Sequence, residues 1–124
     1  MPKPRPKYLD LFRIRLPVAG FISILHRVSG ALLFLLLPFM LWLWELSLAT
    51  PDSFAAFKQL VSHPLMKLVA IGIAWAYLHH LCAGIRHLAL DLHYGTALET
   101  ARATSWAVLG VSLALTLVFG ALIW

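Results

Sequence analysis

The chain has little charge, a single cysteine, and no internal repeat or low-complexity segment. Charged residues make up 12% of its 124 positions, against about 25% in an ordinary soluble domain. Cys82 alone excludes an intrachain disulfide, and there is no set of cysteines for an iron–sulfur cluster. No C-x-x-C-H stretch is present, which excludes covalent attachment of a c-type haem. A glycine-rich nucleotide loop is also missing. From Ser105 to Trp124 no charged residue occurs at all. A soluble redox or nucleotide-binding domain is therefore a poor reading.

What remains is apolar. Hydrophobic residues make up 61% of the chain, and they gather in runs long enough to cross a bilayer. A helix over Ser105–Trp124 extends roughly 30 Å, the thickness of a hydrocarbon core. The expected architecture is all-α and integral to the membrane, with one domain. Residues 1–16 read as a basic arm that Pro2, Pro4 and Pro6 keep out of a helix at its start. Residues 17–124 read as the membrane domain, with spans at about 18–48, 65–92 and 104–123. Pro38 should kink the first span. Thr50 or Asp52 can cap a short interfacial helix carrying Phe54, Phe57 and Leu60. Residues 97–102 read as a short helical lead into the third span. Trp42, Trp44, Trp106 and Trp124 sit where interface anchors belong.

The net charge is +5, yet nucleic acid is not the expected partner. Lys3, Arg5, Lys7, Arg13, Arg15 and Arg27 cluster at one end, as the positive-inside rule expects beside a first span. The amino terminus is expected inside, the first loop outside, the second loop inside and Trp124 outside. The start is too short for most organelle transit peptides, which points to a bacterial cytoplasmic membrane or a processed chain.

That topology brings two polar faces to one membrane side. Ser23, His26, Arg27 and Gly30 share a face of the first span, at i, i+3, i+4 and i+7. His80, Gly84, His87 and Asp91 share a face of the second, with His80 deepest, roughly 15–17 Å along the axis from Asp91. A deep histidine, a glycine one turn along and cations at the aqueous edge are the parts of a b-type haem site. His80 can bind iron, Gly84 can clear space beside it, and His26 and Arg27 can meet the propionates. One chain offers one such ligand, so a second axial histidine is expected from another subunit. His79 is the competing ligand, pointing about 100° away with Ala83 and Arg86 on its stripe. The bland alternative is a set of interhelical hydrogen bonds. Ser23 and Arg27 can also hydrogen-bond a quinone carbonyl arriving from the lipid, although a membrane serine often bonds its own helix instead. Cys82 reads as a packing residue, and His63 and His93 as interface residues. Glu45 and Lys67 read as solvated residues at the outer end.

Two motifs carry a family resemblance. One runs from Arg5-Pro6 to Ser23-Ile24-Leu25-His26-Arg27-Val28-Ser29-Gly30. The other is His80-x-x-x-Gly84-Ile85-Arg86-His87-x-x-x-Asp91. Over nearly its whole length the chain resembles the cytochrome b membrane-anchor subunits of bacterial succinate dehydrogenase, the larger of the two anchors. The resemblance implies a helical bundle with a second small anchor subunit, one shared haem b, and docking of an iron–sulfur subunit and a flavoprotein subunit on the inner face. Electrons from succinate would then reach ubiquinone. By motif position, His80 would be the axial haem ligand, Ser23 and Arg27 would line the quinone site, and His26 and Arg27 would lie near the propionates. Arg86, His87 and Asp91 match the motif, with haem support, docking and proton delivery all open. An anchor of a quinol:fumarate reductase, a haem-free assembly protein and a proton-transfer subunit are the other readings.

Overall fold

A computed structural model describes residues 14–124; most of the basic arm, including Lys3, Arg5, Lys7 and Arg13, lies outside the described residues. Four helices follow in order: α1 (Val18–Leu48), α2 (Pro51–Ser62), α3 (Pro64–Asp91) and α4 (Leu98–Ile123). Three of them, α1, α3 and α4, are long and apolar enough to cross a membrane. The helical lead and the third span form one helix, α4. Helix α1 continues through Pro38.

The short elements between spans are set by local chemistry. Thr50 caps α2: its hydroxyl accepts from Ser53 N–H at 3.0 Å, and the Thr50 N–H donates to the Ser53 hydroxyl at 2.9 Å. Pro51 occupies the first turn, where its missing N–H costs nothing. At the start of α3, Pro64 plays the same part, and the His63 ring accepts from Leu65 N–H at 3.2 Å. The end of α3 closes with two reversed bonds. Tyr94 N–H reaches the Ala89 carbonyl and His93 N–H the Leu90 carbonyl, both at 2.9 Å. His93 takes the left-handed position that glycine usually fills, at φ 65°.

Helix α3 packs against both α1 and α4, and all three helices contact one another. The buried residues of α3 are Ala76, His79, Ala83 and Arg86, one stripe at helical spacing. Those of α4 are Ser105, Val108, Ser112 and Thr116. Small side chains let these two helices approach closely. The α4 hydroxyls bond back to their own helix: Ser105 to Ala101 O at 2.6 Å, Ser112 to Leu109 O at 3.1 Å, Thr116 to Ser112 O at 2.7 Å. Ile22, Ala83 and Val108 form the apolar centre, with Cys82 packed against it. The outside is apolar: Phe34, Leu35, Leu117 and Leu122 are each at least 74% exposed. That arrangement suits lipid as solvent and would aggregate in water.

The helices alternate in direction. Contacts between His26 and His87, and between Arg86 and Thr104, place the start of α1, the end of α3 and the start of α4 at one end. At the other end Lys67 is not simply solvated. Its ammonium donates to the Trp124 carbonyl at 2.9 Å and lies over that indole ring.

Candidate functional site: a histidine cluster between α1 and α3

The two polar faces foreseen from spacing do meet. His26 stacks on His80 with ring centroids 4.2 Å apart and planes 14° from parallel. His87 tilts against the other histidine of that pair, His26, at 5.0 Å. His80 reaches across to α1: its Nδ1 lies 2.9 Å from the His26 carbonyl and 3.2 Å from the Ser29 hydroxyl. A carbonyl oxygen can only accept, so the proton sits on Nδ1. Nε2 is left bare, without a hydrogen-bond partner among the described residues, and it is not sealed from its surroundings.

His79 has the opposite surroundings. It is 0% exposed, lies on the stripe between the helices and stacks on Trp75 at 5.4 Å. Among the described residues neither ring nitrogen finds a partner by hydrogen-bond geometry, nor does Trp75 Nε1. Each such orphan costs about 1–3 kcal/mol. A porphyrin cannot reach a side chain enclosed on every side.

Arg86, on the same stripe, faces α4. Its Nε donates to the Thr104 hydroxyl at 3.1 Å and its Nη2 to the Ala101 carbonyl at 3.3 Å. Arg86 is 8% exposed and ties the start of α4 to the end of α3. Asp91 is exposed. Of the motif's last three residues, only His87 joins the cluster.

The two glycines of these faces each lie against a histidine of the facing helix. A Cβ on Gly84 would stand 3.5 Å from His26 Nε2, an ordinary contact, and nothing of His80 lies near it. Side chains on a helix lean toward its N-terminus, so His80 points away from the residue one turn later. The glycine beneath His80 is Gly30 on α1: a Cβ there would stand 2.7 Å from His80 Cε1. Gly30 was visible in the sequence as part of the α1 face, but which ring it faced was not.

Ser23 is half-buried and Arg27 exposed. Ser23 makes none of the hydrogen bonds to its own helix that Ser29 makes to the His26 carbonyl at 2.9 Å. Neither Ser23 nor Arg27 bonds another described residue. Clefts of about 300, 370 and 460 Å³ lie between the helices, and Ser23, His26, Arg27 and His80 line none of them. The cluster is an open face rather than an enclosed cavity. Among the described residues no three His, Cys, Asp or Glu side chains converge as an ion site. A single bare imidazole nitrogen fits a planar ligand that brings its own equatorial donors, as a porphyrin does. The Nδ1–H bonded to a carbonyl is the usual support of a metal-binding histidine.

Fold and cluster together define a class: a helical membrane protein with three candidate spans and an open histidine-rich face between two of them. The comparisons give the family. Residues 1–119 match the family described as succinate dehydrogenase/fumarate reductase transmembrane subunit, and the chain belongs to it. It is 38% identical over 121 residues to the succinate dehydrogenase cytochrome b556 subunit of Coxiella burnetii, covering 97% of each chain. The same subunit of Paracoccus denitrificans is 32% identical over 113 residues, 91% of this chain and 85% of that one. That of Rickettsia felis is 30% identical over 115 residues, 93% and 88%.

Proposed function

We propose that this chain is the haem-holding membrane anchor of a bacterial succinate:ubiquinone oxidoreductase, spanning the cytoplasmic membrane with its amino terminus inside and its carboxyl end in the periplasm. Membership in a succinate dehydrogenase family and the b556 name of its relatives support the haem reading. The observation that carries the residue assignment is the His80 ring, whose Nδ1–H donates to the His26 carbonyl and whose Nε2 is bare among the described residues. His80 is the axial ligand from this chain, in preference to His79. Arg27 supplies a cation at the aqueous edge for the propionates, with His26 behind it against His80. Gly84 serves by letting the His26 ring lie against α3. The second axial ligand comes from a second small anchor subunit, which would complete the open face. When bound, the haem would supply a one-electron centre.

Ser23 and Arg27 orient ubiquinone. The hydroxyl and the guanidinium both donate, and a quinone carbonyl accepts. Two electrons, delivered from succinate through the flavoprotein and iron–sulfur subunits, and two protons convert ubiquinone to ubiquinol. As charge grows on the carbonyl oxygen, these donors strengthen. The site's place near the aqueous edge keeps protons within reach.

The test separates the two half-reactions. Ser23→Ala and Arg27→Ala should reduce succinate-driven ubiquinone reduction by about tenfold or more while leaving succinate oxidation by an artificial dye largely intact. Equal loss of both activities would assign these residues to assembly instead. His80→Ala should remove the reduced-minus-oxidised b-type bands of the purified complex. Persistence of those bands would reject the ligand assignment.

A further inference from the structure

We infer that Ser29 and Gly30 of α1 are positioning residues for His80, fixing its tautomer, orientation and strength as an iron ligand. The inference rests on the reading of His80 as the axial ligand and extends it to two residues on the facing helix.

Ser29 is buried, and its hydroxyl completes a triangle with two other groups. It donates to the His26 carbonyl at 2.9 Å and lies 3.2 Å from His80 Nδ1. The His80 Nδ1–H points between two acceptors, the His26 carbonyl at 2.9 Å and the Ser29 oxygen. Both draw the Nδ1 proton outward and make Nε2 the more basic nitrogen. Gly30 fixes the ring in the other direction. The 2.7 Å that would separate an added Cβ from His80 Cε1 is shorter than any stable contact, and the same Cβ would lie 3.2 Å from Nδ1. The ring could escape only by swinging off the carbonyl and the hydroxyl. One turn of α1 therefore supplies the seat, through Gly30, and the two acceptors that hold the ring in it.

The assembled complex provides the test. Ser29→Ala should raise the midpoint potential of the b-type haem, because a less basic imidazole stabilises ferric iron less. Haem should also pass to excess apomyoglobin roughly tenfold faster. Ser29→Thr keeps the hydroxyl and should restore both values. Gly30→Ala should lose the haem or shift its spectrum. Gly110→Ala, whose Cβ would meet nothing within 4 Å, controls for a helical glycine replaced by alanine and should leave the haem alone. Wild-type potential and transfer rate in Ser29→Ala would overturn the assignment of Ser29, as would Ser29→Thr behaving like the alanine variant. An unaltered haem in Gly30→Ala would overturn that of Gly30. If Gly30→Ala fails to assemble, the Ser29 pair decides. His80→Ala separates the two levels. Should it retain the haem, the ligand reading falls; should it lose the haem while Ser29→Ala and Gly30→Ala match wild type, only the positioning inference falls.

Discussion

The two faces of α3 differ in how far their polar groups are enclosed. On the α4 side, Ser105, Ser112 and Thr116 bond their own helix, and Arg86 is held by Thr104 and Ala101. Small residues close the gap, and His79 is enclosed among them. That seam is closed within one chain, with the His79 nitrogens sealed inside it and bonded to no described residue. On the α1 side, three histidines crowd together, with Ser23 and Arg27 bonding no described residue. Polar groups at membrane depth are costly when unpaired. Under the reading proposed above, a ligand and a partner chain complete them on this open face. Enclosure, not polarity, separates His79 from His80, although the two are adjacent in sequence.

The largest expected effect tests that separation directly. His79→Leu should leave the b-type spectrum intact, in contrast to His80→Ala. It should also hold or raise the thermal midpoint of the complex, since removing buried unpaired nitrogens relieves about 1–3 kcal/mol each. A fall in midpoint would mean that His79 has a partner inside the bundle. Next comes the tie between α3 and α4. Arg86→Met removes two hydrogen bonds from a charged donor, each worth about 1.5–3 kcal/mol. It should lower the unfolding midpoint while His80 keeps its spectrum; loss of haem instead would connect the two faces. Close packing of the seam gives a smaller effect. Ser112→Leu should destabilise by about 1–3 kcal/mol through overpacking, whereas Ser112→Ala should change stability by less than about 0.5 kcal/mol, both read by thermal unfolding in detergent. The smallest effect is at the turn where the two faces end. His93→Gly should stabilise by about 1 kcal/mol, because a left-handed backbone costs a residue with a Cβ about that much. No gain in midpoint would mean that the His93 side chain compensates.

Much of this was legible before the fold. The spans follow from apolar length, and the α1 and α3 faces from residues three and four apart. The stripe that joins His79, Ala83 and Arg86 was equally readable. What those stripes face was not. Spacing placed Gly84 on the His80 face, but could not show that the His80 ring lies against Gly30 of the other helix. Lys67 looked solvated because nothing in sequence brings it to Trp124, 57 residues away.

The sequence by itself determined that this is a membrane protein of three spans with a polar face on each of the first two near one end, because hydrophobic length and helical period are properties of a single strand of residues. Only the tertiary structure decided which of two adjacent histidines is sealed and which is bare at Nε2, and that Gly30 and Ser29 hold the second. Those outcomes depend on how α1 and α4 approach α3, and a helix carries no record of the rotation at which its neighbours meet it.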